Sequence, residues 1–314
     1  MLGAVALLVG PAPAWPWGCE GHETIALIAG WQLTPHARKM VDELLQPSPI
    51  DPHLERSCRT TGNVLADAST WADDVRRDQS SPFFNTGRWH FIDIPRGASS
   101  GEVGRFCPPP TGCIVRAIED QLTVLRKTGG ERRRAAEALM MLIHLIGDLH
   151  QPLHCSTNND AGGNCVPVTY FGIAPQLSSE HPEEGMYQPN LHAVWDTGII
   201  RRILQHRSAD WFADVLQRRF AAQIPAWQRM PIDLHAWALE SHHVAEQTAY
   251  GQLPVAIPIA SPQRGVQCGE VSQKMLALHE RLGQRYQDAA APVIEEQLAK
   301  AGVRLAMVLN HLWQ

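Results

Sequence analysis

His144-Leu-Ile-Gly-Asp148-Leu-His150-Gln-Pro152-Leu-His154 closes a run that begins at Glu131 and carries apolar residues every three or four positions, the period of a helix. Residues four apart share a helix face, so His144 and Asp148 present a ring nitrogen and a carboxylate toward a common point. Pro152 cannot continue that helix, because its ring would collide with the carbonyl of residue 148. The chain must therefore bend beside Asp148, which can carry His154 back toward the same cavity. A second His-x-x-x-Asp pair, His192 and Asp196, follows about forty residues later. Taken together, these spacings point to a chain built around metal.

The same periodicity recurs over Glu23 to Leu45, Gly112 to Lys127, His192 to Leu204, Ala209 to Gln223, Leu234 to Ala249 and Ala289 to Leu312. Strand signal is confined to short runs, Trp89 to Ile94 and Val166 to Phe171. The expected architecture is mainly α with a few short strands. Loops rich in Pro, Gly and Ser interrupt it at 47–52, 95–104, 108–110, 158–164, 173–189 and 254–267. The candidate ligands lie on both sides of the first five loops and must converge to within about 2 Å of shared metals, so none reads as a domain linker. One domain over 17–314 is expected.

Fifteen His against four Lys (39, 127, 274 and 300) is an unusual balance, and His is the commonest protein ligand for transition metals. A net charge of −5 argues against holding nucleic acid along a basic track, but not against holding phosphate through bound cations. Met1 to Ala14 is apolar and ends in Pro-Ala-Pro-Ala, an A-x-A-like processing site, although no positive residues precede it. Residues 1–16 are therefore expected to be a signal segment and the protein to be secreted or periplasmic. Seven Cys (19, 58, 107, 113, 155, 165, 268) suit an oxidising compartment. The short loops Cys107 to Cys113 and Cys155 to Cys165 are plausible disulfides, and the odd count leaves at least one thiol unpaired. No C-x-x-C pair favours a zinc-thiolate site, and no Asn-x-Ser/Thr sequon is present.

Five fragments bear on function. They are Trp17-Gly-Cys-Glu-Gly-His22, Ser69-Thr-Trp-Ala-Asp73-Asp-Val-Arg76, Trp89-His90-Phe91-Ile-Asp93, the His144 to His154 segment, and Asn190-Leu-His192-Ala-Val-Trp-Asp196. At these positions and in this order the chain resembles the zinc-dependent single-strand nucleases and 3′-nucleotidases of the S1/P1 type, with weaker echoes in Gly162-Gly-Asn164 and Trp237-Ala-Leu-Glu240-Ser241. The resemblance implies a helical fold shared with zinc phospholipase C and a cofactor of three Zn²⁺. It implies that Asp73, His90, His144 and Asp148 hold one zinc. Asp148 would bridge to a second held by His22 and by the amino group and carbonyl of Trp17, and His154, His192 and Asp196 would hold a third. A free amino group at Trp17 requires processing after Pro16, whereas the better site follows Ala14; either a second trimming step or direct cleavage at Pro is then needed.

Charge arithmetic supports that division independently. Three Asp carboxylates against three divalent ions leave the cluster near +3, attractive to a phosphodiester despite the acidic chain. Arg76, one helical turn beyond Asp73, would add a bidentate phosphate contact; its bland reading is a solvated surface Arg. By the resemblance, Phe91 is a base-stacking platform and Asp93 a base-edge acceptor, and a flat ring tolerates any base that is unpaired and splayed. Phe91 could equally be an ordinary core residue. Asn164 could meet substrate through a closely approaching backbone, and a simple turn explains it nearly as well. His150 reads as a neighbour of the ligands, His242 and His243 as structural or exposed, and Trp31, Trp71, Trp195 and Trp237 as core or cavity wall.

The expectation is a monomeric, exported enzyme that uses three zincs to cleave single-stranded DNA and RNA to 5′-phosphate products, with 3′-nucleotidase activity and no membrane partner. Asp73, Asp148 and Arg76 are its expected catalytic residues. A zinc phospholipase C is the rival enzyme, disfavoured by Asp at 196 where that enzyme would carry Glu, and by the Phe91 and Asp93 pair. A non-catalytic zinc-binding protein is the rival from another class.

Overall fold

The structure is a computed structural model that describes residues 17–98, 103–109, 112–127, 131–179, 184–261 and 267–314. The expected leader at 1–16 lies outside these residues, as do parts of the loops at 95–104, 108–110, 173–189 and 254–267. Helices dominate. Helix α6 (Arg132–Leu149) is buried at every residue from Ala138 to Leu149, and α1 (Cys19–Gln32) from Gly21 to Gly30. A helix buried all round must have neighbours on every face. Helix α13 (Gln284–Leu312), α9 (Ala209–Arg219) and α3 (Val64–Ser69) pack on α1, α5 (Ile114–Leu125) and α13 flank α6, and the short α10 (Ile224–Gln228) lies against α13.

The crossing of α1 and α13 is close because Gly302 sits there. A Cβ at that position would stand 2.6 Å from the Ile28 Cβ and 2.9 Å from the Ile25 carbonyl oxygen. Gly302→Ala is therefore expected to cost about 2 kcal/mol by pushing the helices apart. Urea unfolding measures it, and a loss below about 0.5 kcal/mol would show that the crossing yields freely.

Several elements depart from the periodicity reading. The run Glu23 to Leu45 is two helices, α1 and α2 (Pro35–Leu45), because Pro35 starts the second and the Thr34 side chain accepts from the Ala37 N–H as its cap. Trp89 to Ile94 is not a strand. Its first residues belong to a 3-10 turn, Thr86–His90, and the extended stretch after it bonds to isolated partners, Ile92 N to His154 O at 2.8 Å and Ile114 N to Phe91 O at 3.0 Å. The C-terminal helix begins at Gln284, five residues earlier than expected, and runs through Pro292, since burial of Tyr286, Ala290 and Ile294 outweighs the hydrogen bond that Pro removes. Trp71, Trp195 and Trp237 are buried as expected, but Trp31 is half exposed at the end of α1.

Other elements follow the reading. Helix α6 stops at Leu149 and the chain resumes as a 3-10 turn, Pro152–Cys155, which bends beside Asp148. The run Val166 to Phe171 contains β1 (Thr169–Tyr170), parallel to β4 (Arg281–Leu282) in the register Thr169 with Arg281; β2 (Gln176–Leu177) pairs antiparallel with β3 (Tyr187–Gln188). None of the described helices is long and apolar enough to cross a membrane.

Three disulfides join Cys19 to Cys58, Cys107 to Cys113 and Cys165 to Cys268. The expected Cys155 to Cys165 pairing is wrong. Cys155 is buried and reduced, its thiol donating to the Leu149 carbonyl at 3.4 Å, and Cys165 instead takes a partner at the start of α12 (Cys268–Leu276). Spacing alone favoured the short loop, whereas the fold turns the Cys155 side chain inward.

Candidate metal centre

Four side chains from three elements meet at the C-terminal half of α6. Asp73 comes from the short helix α4 (Trp71–Val75), His90 from the end of the 3-10 turn, and His144 and Asp148 from α6 itself. Asp74, beside Asp73, turns away into Arg56 at 2.7 Å and the Ser57 N–H at 3.1 Å, which explains why only one of the adjacent carboxylates joins the group. His90 Nδ1 lies 2.9 Å from Asp148 Oδ2 and 3.0 Å from His144 Nε2, and His144 Nε2 lies 3.0 Å from Asp148 Oδ2. Asp73 Oδ1 stands 3.9 Å from His90 Nδ1 and 3.8 Å from His144 Nε2. Four ligands around a tetrahedral zinc at about 2.0–2.1 Å sit about 3.3 Å apart, so these separations fit one ion.

Asp148 faces two ways. While Oδ2 meets His90 and His144, Oδ1 lies 3.3 Å from His22 Nε2 and has no hydrogen-bond partner. His22 stacks on His144 with ring centroids 4.0 Å apart. Trp17 is fully buried alongside, its indole donating to the Gly147 carbonyl at 2.8 Å. A Cβ on Gly147 would stand 2.9 Å from His22 Nδ1, so the Gly before Asp148 makes room for the imidazole. The third group is His154 from the turn after α6, with His192 and Asp196. Nε2 of His154 and of His192 are 3.1 Å apart, and His192 Nε2 is 3.2 Å from Asp196 Oδ2. His192 lies in α7 (Leu191–Ala193), capped by the Asn190 side chain. Asp196 lies in the π-helical turn Val194–Gly198 that leads into α8 (Ile199–Leu204).

The outer ring nitrogens are tied to backbone. His144 Nδ1 donates to Ser69 O, His154 Nδ1 to His90 O and His192 Nδ1 to Gly162 O, each at 2.7 Å. That tautomer turns the Nε2 lone pairs of His154 and His192 inward, as metal ligands require, whereas at His144 burial is outweighed by the Asp148 and Asp73 carboxylates, which raise it to about 9, so a cation there must displace a proton. Burial lowers His22 and His154, holds His90 at about 4 and, with neighbouring His154, His192 at about 3, so these imidazoles are neutral near pH 7. Burial pushes the Asp196 carboxyl well above its usual range, opposed by hydrogen bonds from the Gln151 amide and the Trp17 backbone N–H. Among the described residues, the buried atoms of these groups without a partner include both His22 nitrogens, Asp148 Oδ1 and Asp196 Oδ2. So many orphaned lone pairs in one place are costly unless cations receive them, and the donor set of imidazole and carboxylate suits zinc.

Around the groups lie the residues expected to meet substrate. Arg76 is one-quarter exposed and its Nε donates to Asp73 Oδ1 at 3.1 Å, which places the guanidinium at the rim of the first group. Phe91 is half-buried rather than sealed in the core. Asp93 is 40% exposed, and burial of the remainder raises its carboxyl although Arg88 opposes the shift. Asn164 donates from its side chain to Ala161 O at 2.9 Å, the local turn contact that the bland reading anticipated. Its loop matters through Gly162, where a Cβ would stand 2.4 Å from the Leu153 carbonyl oxygen.

Gln151 and Asp160 escaped the sequence reading because each supports the site through a partner far away in the chain. The Gln151 amide donates to Asp196 Oδ1 at 2.6 Å while its oxygen accepts from Leu153 N, which joins the second segment to the first. Asp160 is buried, accepts from the Tyr250 hydroxyl at 2.9 Å and from the Asn158 and Gly163 N–H groups, and so shapes the loop that orients His192. Behind α6, His150 donates to Ile146 O and accepts from Arg304 at 2.9 Å, and Arg304 and Lys300 both bond Glu240 on α11 (Leu234–Val244).

That last cluster makes a pH prediction. Burial opposes ionisation, yet Arg304 and Lys300 hold the Glu240 carboxyl at about 2, against an ordinary value of 4.5. Because the folded value is depressed, the stabilisation is complete above 4.5 and is lost as pH falls from there toward 2. Glu240→Gln is expected to cost about 2 kcal/mol near pH 7. The gap from wild type in urea midpoints should narrow steadily below about pH 4, and a gap independent of pH would count against the ion pairs.

A profile of the family described as S1/P1 Nuclease matches residues 17–314. Nuclease S1 of Aspergillus oryzae is 29% identical over 315 residues, 94% of this chain and 91% of that protein. Endonuclease 1 of Arabidopsis thaliana is 27% identical over 307 residues, covering 95% of this chain and 87% of its own length. Nuclease P1 of Penicillium citrinum is 26% identical over 313 residues, 94% of this chain and 97% of that protein.

Proposed function

This chain belongs to the S1/P1 nuclease family, with its helical zinc phospholipase C-like fold, and from that premise we propose that it is an exported enzyme hydrolysing single-stranded DNA and RNA to 5′-phosphate products, with 3′-nucleotidase activity. It is a nuclease of a metal-dependent family, and three His/Asp groups could hold metal. The observation that carries the finer reading is the set of unpartnered buried donors around Asp148. Three Zn²⁺ are the proposed cofactor. Asp73, His90, His144 and Asp148 would hold one, Asp148, His22 and the Trp17 backbone a second, and His154, His192 and Asp196 a third. Bound zinc supplies Lewis acidity, which lowers the pKa of water and offsets phosphate charge.

The chain's own residues supply the rest. Asp73 engages the Nε of Arg76, which leaves the Nη groups to meet a phosphate oxygen. Phe91, half-buried at the rim, offers a ring face to one base, and Asp93 accepts from that base's edge. Neither contact can form with a base still stacked and paired, which is the physical source of the single-strand preference. Three disulfides favour an oxidising compartment, consistent with a secreted or periplasmic monomer acting as one domain over 17–314.

The test is parallel hydrolysis of single-stranded DNA, single-stranded RNA, duplex DNA and phosphatidylcholine vesicles by the zinc-loaded mature protein, with metal analysis and N-terminal sequencing on the same sample. Single strands should be cut about a hundredfold faster than duplex, the cost of extracting one base. Cleavage of phosphatidylcholine with no cleavage of nucleic acid overturns the reading.

A further inference from the structure

Arg88 sits in the 3-10 turn that delivers His90, and no contact with the metal groups accounts for where its side chain goes. On one side of it Trp89 packs edge-on against Phe83. Arg88 is 50% exposed, yet its guanidinium carbon returns to 5.2 Å from the Phe91 ring centroid and its Nη2 lies 3.6 Å from Asp93 Oδ2. An exposed ion pair at that distance stabilises a fold very little. Its position is better explained by what the two groups face together.

We propose that Arg88 and Asp93 form a donor and acceptor pair that reads the unpaired Watson–Crick edge of any nucleobase stacked on Phe91. This rests on the proposed use of Phe91 and Asp93 as the base platform. Every base places a donor beside an acceptor on that edge: adenine and cytosine an amino group beside a ring nitrogen, guanine and uracil or thymine a ring N–H beside a carbonyl. The Asp93 carboxylate accepts from the donor and the Arg88 guanidinium donates to the acceptor. Its five N–H donors let one nitrogen stay with Asp93 while another reaches the base. A paired base has already spent both groups on its complement, so the pair admits all bases and rejects duplex. The guanidinium also slides aside from the ring as the base arrives, which its half-exposed position allows.

Dinucleoside monophosphates, with a single scissile bond, test this on the zinc-loaded protein. The natural dinucleotides are compared with analogues in which either or both bases are replaced by hydrogen. Arg88→Ala should raise KM about tenfold on all natural bases, the worth of one charge-assisted hydrogen bond, with kcat within about twofold. The same ratio should collapse to below about threefold on the base-free analogue. Arg88→Lys should recover less than half of the loss on a logarithmic scale, since an ammonium keeps the charge but not the fork of N–H groups. An Arg88→Ala effect of equal size without a base, or full rescue by Lys, overturns the pair and leaves only a general charge effect. Phe91→Ala separates the two readings. If its KM change also persists without a base, the base platform itself is wrong; if that change needs the base while the Arg88 change does not, only the pair fails.

Discussion

Asp148→Asn should lower turnover by about a thousandfold or more while leaving the helical content intact. The wild-type carboxylate is fully buried, with one oxygen on His90 and His144 and the other on His22, so its two oxygens face the first two ligand groups separately. An amide cannot serve both sides. Whichever way it flips, its NH₂ donates into one set of inward lone pairs and satisfies them in place of a cation. The isosteric shape keeps the packing, so circular dichroism should be unchanged. Metal analysis should show loss of at least one ion, and near-wild-type hydrolysis by a metal-replete Asn variant would remove Asp148 from the bridging role.

Stripping metal with a chelator should abolish hydrolysis and lower Tm by about 10 °C or more, both reversed by added zinc. Five His and three Asp converge inside a structure whose unpartnered atoms include Asp148 Oδ1, Asp196 Oδ2 and both nitrogens of His22. Ions that bind only the folded chain stabilise it in proportion to their affinity. Burial also leaves Asp196 reluctant to ionise, a penalty that a neighbouring cation removes. Scanning calorimetry of the chelated and reloaded protein measures the shift. An unchanged Tm after verified zinc removal would mean that the groups are structural hydrogen-bond clusters.

The centre was legible in the sequence because its ligands come in helical pairs. His144 with Asp148 and His192 with Asp196 need only local geometry to share a face, and Pro152 forces the bend that returns His154. Even so, Asp196 sits in a π-helical turn, a local widening that no periodicity announces. What was illegible depends on chain partners far away. The Cys165 partner lies 103 residues on, and nothing near Cys155 says that its side chain points inward. The extended stretch after His90 looks like a strand in composition, but its backbone partners are single residues from distant turns. The supports Gln151, Asp160 and Glu240 carry ordinary polar side chains, and only the fold shows which carboxylate, loop or helix each one meets.

Two of the cross-links sit on the ligand-bearing segments. Cys19 lies between Trp17 and His22 and is tied to Cys58, while Cys165 directly follows the loop whose Gly162 carbonyl aims His192. The α6 spine has no such staple and is held by its burial and by hydrogen bonds such as Trp17 Nε1 to Gly147 O and His144 Nδ1 to Ser69 O, none of which a thiol can reduce. In a thiol-rich milieu the grip on the ions would therefore slacken well before the body of the protein came apart, leaving a chain that is folded but harmless.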